Sequence, residues 1–208
     1  MGENEFAGQT VFVVDDDEAM RSSLAWLIES MGLAVRTFAD ADAFLSGYDP
    51  EVPGCLVLDV RMPGISGLEL QEQLGAKGVR IPIIFISAHG DVAMAMRAVK
   101  NGALDFLEKP CDHDEMARAI HDALRRDREQ RAASVKAGEA RSRLTSLTPR
   151  EQEILKLVVE GHSSRAIGDQ LGISGRTVEV HRARLMDKTG AESVPDLVRM
   201  VLDADSDA

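Results

Sequence analysis

Polar side chains that suit phosphoryl chemistry follow four apolar segments of this sequence, each at the point where the segment ends. They are Asp15 and Asp16 after residues 11–14, Asp59 after residues 55–58, Ser87 after residues 83–86, and Lys109 after residues 106–107. Helical patterns separate the apolar runs, so each run is typical of a buried parallel strand. In a doubly wound α/β sheet, ligands bind at the carboxyl ends of the strands. The sequence therefore predicts one crevice that holds three carboxylates, a hydroxyl and an amine.

The side chains of this predicted crevice favour a magnesium ion and a phosphoryl group. Carboxylates a few ångströms apart repel each other, and a divalent cation relieves that repulsion. Mg²⁺ prefers hard oxygen ligands and retains several waters, so Asp15, Asp16 and Asp59 suit it. A zinc site would need His or Cys at ligand spacing, and the sequence offers none. Lys109 and Ser87 can stabilise phosphoryl charge, and a carboxylate can itself be the nucleophile that accepts the group.

Each of these residues taken alone is more often structural than functional. Asp16 or Asp17 can cap a helix that begins near Glu18, and Asp59 can open a turn. Lys109, which precedes a proline, can be an ordinary loop residue. Because all of them follow strands in alternating β/α order, chance is a poor explanation of the pattern.

Four sequence motifs resemble the receiver domain of two-component systems. They are Val13-Val14-Asp15-Asp16-Asp17, Leu56-Val57-Leu58-Asp59-Val60-Arg61-Met62-Pro63, Phe85-Ile86-Ser87-Ala88 and Asp105-Phe106-Leu107-Glu108-Lys109-Pro110. The resemblance extends from about Gln9 to Arg126. Residues 87–91 and 103–106 are most similar to the FixJ type. The resemblance implies that Asp59 accepts a phosphoryl group from a sensor histidine kinase.

The resemblance also implies a set of magnesium ligands. Asp16, Asp59 and the main-chain carbonyl of Arg61 would bind Mg²⁺ directly, and Asp15 would act nearby through water. Because few protein ligands leave most of the shell to water, we expect weak affinity.

The remaining pocket residues are expected to bind the phosphoryl group and to transmit the signal. The resemblance implies that Ser87 and Lys109 contact that group. A phosphoryl group can draw the Ser87 hydroxyl inward and let the Phe106 ring repack, which biases a two-state element. The affected face is expected to comprise the helix Asp91–Asn101 and the strand around Asp105–Leu107. A homodimer through that face is the expected active form.

The composition predicts a cytoplasmic protein with reduced thiols. The 208 residues allow two small domains, and no apolar run approaches the length of a membrane span. The acidic N-terminus is unlike a signal peptide, and two isolated cysteines suit a reducing compartment. Charge is uneven: residues 1–117 contain 20 acidic and 8 basic side chains, whereas residues 118–147 contain 4 and 8. This asymmetry indicates a division of labour between the halves.

Residues 126–145 are predicted to form a helical linker. The stretch from Asp114 to about Leu144 has no proline and is rich in Ala, Arg and Glu, so it can continue the last receiver helix as a long connector. Its apolar positions do not sustain heptads, so a strong coiled coil is not expected. We expect the helix to end near Val135 and a hinge to follow at the weak point, Gly138.

A second, helical domain is predicted to begin after the linker. Thr148 is a good N-cap, Pro149 suits the first helical position, and Glu151 completes a capping box. A tight connection, Leu171-Gly172-Ile173-Ser174, joins two later helices. This pattern is typical of the helix-turn-helix motif.

The third helix of this domain, from Gly175 to about Thr189, has side chains that suit DNA. Arg and Lys can neutralise phosphates, Arg can read guanine, Val180 can touch a thymine methyl group, and Glu179 can accept from cytosine. A charged face on a small helical domain is also common where the face is merely solvated. Together with residues 147–151, residues 173–181 resemble the LuxR/NarL four-helix output domain. The expected DNA contacts are Arg165, Arg176, Thr177, Glu179, Val180, Arg182, Arg184 and Lys188.

The predicted architecture is therefore an α/β doubly wound parallel sheet of the flavodoxin-like receiver kind, followed by a small all-α four-helix helix-turn-helix domain. Residues 1–125 are assigned to the receiver, 126–145 to the linker and 146–208 to the output domain. The predicted function is that of a response regulator in which phosphorylation of Asp59 switches dimerisation and transcription control. Its expected partners are a sensor histidine kinase, double-stranded promoter DNA and RNA polymerase, with no membrane.

Two other functions are compatible with these residues. Asp15-Asp16-Asp17 also fits the Asp-x-Asp motif of haloacid-dehalogenase-type phosphatases, here fused to a DNA-binding domain. The chain could alternatively be a constitutive DNA binder whose receiver is a passive module. In the favoured interpretation the protein is not a turnover enzyme, although it loses its own phosphoryl group by autodephosphorylation.

Overall fold

The structure, a computed structural model, describes residues 6–88 and 92–205. The chain divides into two compact units, Met1–Glu129 and Gln130–Ala208. The strands are β1 Thr10–Val14, β2 Ala34–Phe38, β3 Gly54–Asp59, β4 Ile83–Ser87 and β5 Asp105–Glu108. The helices are α1 Glu18–Ser30, α2 Ala41–Gly47, α3 Gly67–Ala76, α4 Val92–Lys100, α5 His113–Thr145, α6 Pro149–Val159, α7 Ser164–Leu171, α8 Gly175–Thr189 and α9 Val194–Asp205.

The first unit is built on a five-stranded parallel sheet in the order β2-β1-β3-β4-β5. Val14 pairs with Leu58, so the residues that follow β1 lie beside the end of β3. Ser87 pairs with Glu108, so Lys109 follows β5 beside the end of β4. The predicted doubly wound sheet is confirmed, and its register brings the strand-end residues to one edge.

Both faces of the sheet are buried, which explains why its strands are continuous apolar runs rather than alternating ones. On β1, Val11 and Val13 belong to a core that includes residues of α1 and α5. Phe12 and Val14 point to the opposite core, which includes residues of α2, α3 and α4. The polar residues at the carboxyl ends of these strands are therefore held by well-packed strands.

Helix α4 is the least buried helix of the first unit as far as the structure describes it, since Ala98 is its one buried residue. Its last turn is tied to α3, because the Gln71 side-chain nitrogen donates to the carbonyl oxygens of Ala98 and Asn101, at 3.1 and 3.2 Å. The sequence predicted this helix over Asp91–Asn101. The start of that prediction, Asp91, and residues 89–90 of the FixJ-like motif lie outside the described residues.

Helix α5 continues through the expected hinge to Thr145, so the prediction that it ends near Val135 is wrong. Glycine weakens a helix interior by roughly 1 kcal/mol relative to alanine. At Gly138 that cost is outweighed, because the neighbouring Ala137 and Ala140 are buried. No helix in the described ranges has the length and hydropathy that crossing a membrane requires.

The second unit has the predicted helix-turn-helix. The predicted capping box at the start of α6 is present, with Thr148 and Glu151 bonded reciprocally. Helix α7 ends at Gly172, which takes the left-handed conformation (φ 68°), and Ser174 caps α8. Gly168 allows the turn to pack closely, because a Cβ there would lie 2.7 Å from the carbonyl oxygen of Ile173. Ile154, Ile167, Val178, Leu185 and Leu197 are among the residues of the core below this motif.

Candidate functional site

Three carboxylates meet at the carboxyl edge of the sheet. One oxygen from each of Asp15, Asp16 and Asp59 lies within 4.8 Å of the others. Asp15 is fully buried, Asp59 is buried and Asp16 is exposed. The donors are hard carboxylate oxygens with one side open to water, so these residues fit Mg²⁺, which keeps part of its water shell.

Lys109 joins two of these carboxylates. Its Nζ lies 2.6 Å from Asp15 Oδ2 and 3.3 Å from Asp59 Oδ1. Burial acts to lower the pKa of Lys109, but the hydrogen bond to Asp15 and the charge of Asp59 outweigh burial, so the pKa is raised. Lys109 is therefore a fixed cation at neutral pH.

Asp59 lies in surroundings that disfavour its charge. Burial is the main cause that raises the pKa of Asp59, and the charge of Asp15 acts in the same direction. Lys109 and the main-chain N–H of Arg61 act in the opposite direction but do not cancel the shift. Because its charge is incompletely compensated, a nearby cation would stabilise the charged form of the Asp59 carboxylate.

The two predicted switch residues lie on the neighbouring strands β4 and β5. Ser87 is buried at the end of β4. Phe106 is half-buried on β5, and its ring centroid lies 6.3 Å from that of Phe85, its partner across the strands. Arg61 lies two residues after the end of β3 and is exposed.

Two residues around the pocket were missed from the sequence. Gly67, the first residue of α3, abuts the phosphoacceptor candidate, because a Cβ there would lie 2.1 Å from the carbonyl oxygen of Asp59. Arg21 of α1 donates from Nη1 to the carbonyl oxygens of Asp15 and Asp16, at 2.8 and 3.0 Å. The sole signals were a glycine at a helix start and a basic residue one turn into a helix.

Helix α8 exposes a row of the predicted DNA contacts. Arg176, Val180 and Arg184 are spaced four residues apart and all are exposed, so they share one face. Val178 and Leu185 are buried on the opposite face. Thr177 and Glu179 are also exposed, and so is Arg165 near the start of α7.

Three of the predicted DNA contacts also bond within the second unit. The hydroxyls of Thr177 and Ser174 are hydrogen-bonded to each other at 2.8 Å. Lys188 Nζ lies 2.7 Å from Glu151 Oε2, and this hydrogen bond is the main reason that the pKa of Glu151 is lowered to about 2. Because Glu151 also belongs to the capping box of α6, the pair joins the start of α6 to the end of α8. Arg182 Nη1 reaches the Ser164 hydroxyl at 3.5 Å. Lys188 therefore has a structural role in addition to any contact with DNA.

Comparisons with known proteins agree with both halves of this description. Residues 11–121 match the response regulator receiver domain, and residues 145–201 match the bacterial regulatory proteins of the luxR family. The transcriptional regulatory protein FixJ of Azorhizobium caulinodans is 48% identical to this chain, and the alignment covers 92% of this chain and 91% of that protein. The transcriptional regulatory protein TdiR of Thauera aromatica is 46% identical over 93% and 85%.

Solved structures of similar proteins cover the same span. The response regulator StyR is 46% identical and covers 94% of this chain and 99% of its own, with a TM-score of 0.82. Full-length FixJ from B. japonicum is 40% identical and covers 94% and 97%, with a TM-score of 0.57. These relatives give no support to a phosphatase or to a passive receiver. The chain belongs to the response regulators of the FixJ type, in which a receiver domain is followed by a LuxR-family DNA-binding domain.

Proposed function

We propose that Asp59 receives a phosphoryl group from the phosphohistidine of a sensor kinase. The observation that supports this most directly is that the Asp59 carboxylate lies beside those of Asp15 and Asp16, with Oδ1 3.3 Å from the Lys109 ammonium. A carboxylate oxygen attacks phosphorus, the O–P bond forms, and the P–N bond breaks as the imidazole leaves with a proton. In autodephosphorylation, water attacks the same phosphorus and the aspartyl O–P bond breaks.

The pocket residues stabilise the negative charge of the phosphoryl group in two ways. Asp15, Asp16, Asp59 and the carbonyl of Arg61 would hold Mg²⁺, which neutralises charge on the phosphoryl oxygens when bound. Lys109 and the Ser87 hydroxyl stabilise the remaining negative charge. Phosphoryl transfer depends mainly on such positioning and charge compensation.

The phosphoryl group acts on the rest of the receiver through Ser87 and Phe106. Ser87 ends β4 at the same edge as Asp59, and Phe106 lies on the neighbouring strand β5. The α4–β5 region carries an apolar surface. Its exposed large apolar side chains are Val92, Met96, Val99 and Leu104. An exposed apolar surface of this kind is typical of a protein interface. We propose that phosphorylation pairs two receivers through it.

The two output domains of the dimer then bind promoter DNA. This takes place in the cytoplasm, and RNA polymerase is a further partner. Residues 148–208 contain 11 acidic and 8 basic side chains, so one copy gains little from non-specific phosphate attraction. Two copies read adjacent half-sites about one helical turn apart, and linking them raises affinity through effective concentration. The contacts proposed are Arg165, Arg176, Thr177, Glu179, Val180, Arg182, Arg184 and Lys188.

A combined measurement of mass in solution and DNA binding tests this function. The full chain is treated with Mg²⁺ and a small phosphodonor, then examined by light scattering and by titration onto an inverted-repeat promoter. We expect a monomer before treatment, a dimer after it, and tighter DNA binding by the dimer. Ser87→Ala should accept phosphate but dimerise less.

The output half is tested separately by Arg184→Ala. This change should weaken DNA binding roughly tenfold, because a base or phosphate contact is lost, and should leave dimerisation unchanged. Lys156→Ala on α6 removes the same charge outside α7 and α8 and serves as the control. Equal binding by wild type and Arg184→Ala would remove α8 from the DNA interface, and equal mass before and after phosphorylation would refute the dimer.

A further inference from the structure

Arg21 binds the main chain, and not the side chains, of the two aspartates that follow β1. Its Nη1 donates to the main-chain carbonyls of both Asp15 and Asp16, at 2.8 and 3.0 Å. Within residues 6–88 and 92–205 it pairs with no carboxylate, although three lie at the same edge of the sheet. The guanidinium thus holds the backbone and leaves the carboxylate oxygens available to a cation.

Asp15 and Asp16 differ in how their side chains are fixed. Asp15 Oδ1 accepts from the main-chain N–H of Asp17 at 2.9 Å, and Asp15 Oδ2 accepts from Lys109 at 2.6 Å. The Asp16 carboxylate is exposed and makes no hydrogen bond in the part of the chain that the structure describes. Its direction therefore depends on the backbone at Asp16, and Arg21 is the side chain that binds this backbone.

We propose that Arg21 is a positioning residue for the cation site, and that it acts mainly through Asp16. By binding two successive carbonyls, it fixes the peptide planes that aim the Asp16 carboxylate at Asp15 and Asp59. This inference rests on the proposed role of the three carboxylates as the magnesium site. Residues that orient metal ligands without touching the metal commonly change affinity when they are removed.

Positioning and simple charge predict opposite outcomes when Arg21 is neutralised. A cation near a magnesium site repels Mg²⁺, so removing its charge alone would tighten binding. Loss of positioning frees the Asp16 carboxylate to leave the site, which weakens binding. The sign of the change therefore distinguishes the two roles.

The experiment measures Mg²⁺ affinity of the full chain by calorimetry and by the rise in melting temperature with Mg²⁺ concentration. We expect Arg21→Gln to weaken binding roughly tenfold. Arg21→Lys should restore part of the affinity, because an ammonium can donate to both carbonyls. Arg125→Gln on α5, an exposed position, removes one positive charge elsewhere in the first unit and serves as the control. Unchanged or tighter binding by Arg21→Gln would overturn the proposal.

A double-mutant cycle with Asp16→Ala identifies the route. If Arg21 acts through Asp16, the double variant should bind Mg²⁺ no more weakly than Asp16→Ala alone, whereas additive losses would contradict that route. The cycle also separates this inference from the proposed function: if Asp16→Ala itself leaves Mg²⁺ affinity unchanged, the carboxylate site is wrong. Melting temperatures without Mg²⁺ show whether each variant folds. If Arg21→Gln does not fold, the same double-mutant cycle is measured with Arg21→Lys and Asp16→Ala, and its result decides whether Arg21 acts through Asp16.

Discussion

At the scale of single residues, the surroundings of Asp59 oppose the charge of its side chain. Its side chain has an exposed fraction of 9%, and burial together with Asp15 raises its pKa despite the nearby Lys109. A charged Asp59 therefore lowers the free energy of unfolding relative to a neutral side chain of the same shape. Such a cost is common at functional sites, where reactivity is kept at the expense of stability.

Asp59→Asn should accordingly stabilise the fold at pH 7 without divalent cations. We expect the free energy of unfolding to rise by more than the roughly 0.5 kcal/mol typical of surface substitutions, because the unfavourable charge is removed and Lys109 keeps its bond to Asp15. Urea denaturation measures this change. Glu29→Gln removes one negative charge from an exposed position of α1 and should change stability by less than about 0.5 kcal/mol.

The pH dependence of this effect has a defined sign. Because the folded pKa of Asp59 is raised, its contribution to stability is fully present below the unfolded pKa and is lost as the pH rises through the folded pKa. The amide of the variant does not titrate. The advantage of Asp59→Asn should therefore shrink as the pH is lowered toward 4, and an advantage that grows on acidification would contradict this account.

The sequence predicted the residues of the pocket that follow strands, but not those that bind its backbone. Asp15, Asp59 and Lys109 were predictable because parallel strands end at one edge of a sheet. Arg21 and Gly67 were not, because their partners are main-chain carbonyls. The path of a loop is set by tertiary packing, and no residue pattern encodes it.

At the scale of elements, the second half of α5 belongs to the output unit. Arg141 donates to the carbonyl oxygen of Ala204 in the last turn of α9, at 2.8 Å. Arg143 donates at 3.4 Å to the carbonyl oxygen of Thr189, where α8 ends. The sequence suggested a hinge here because Gly138 is a weak point in a helix, but the neighbouring Ala137 and Ala140 are buried and the helix continues.

A fragment of residues 130–208 should therefore be more stable than one of residues 146–208. The shorter fragment loses the Arg141 and Arg143 hydrogen bonds and the burial of Ala137 and Ala140, which together we expect to cost about 2 kcal/mol. Thermal and urea unfolding of the two fragments measure the difference. Equal stability would show that residues 130–145 are only a connector. Lys136→Ala in the longer fragment is the control, because it changes an exposed residue of α5.

At the scale of the whole molecule, the order of the two domains and their difference in charge were readable from the sequence. The acidic excess of residues 1–117 belongs to the unit with the carboxylate pocket, and the basic excess of residues 118–147 falls on α5. The helix-turn-helix follows, and the face of α8 with the predicted DNA contacts Arg176, Val180 and Arg184 is exposed. Such a chain links a phosphoryl signal received in one unit to DNA binding by the other.

The most direct test of this account locates the phosphoryl group after reaction of the full chain with Mg²⁺ and a small phosphodonor. We predict one group per chain, cleavable by neutral hydroxylamine as an acyl phosphate and mapped by mass spectrometry to Asp59. Labelling should disappear in Asp59→Asn, which remains folded, and in excess chelator. A phosphoryl group mapped to Asp15 or Asp16, or undiminished labelling of Asp59→Asn, would contradict the central claim.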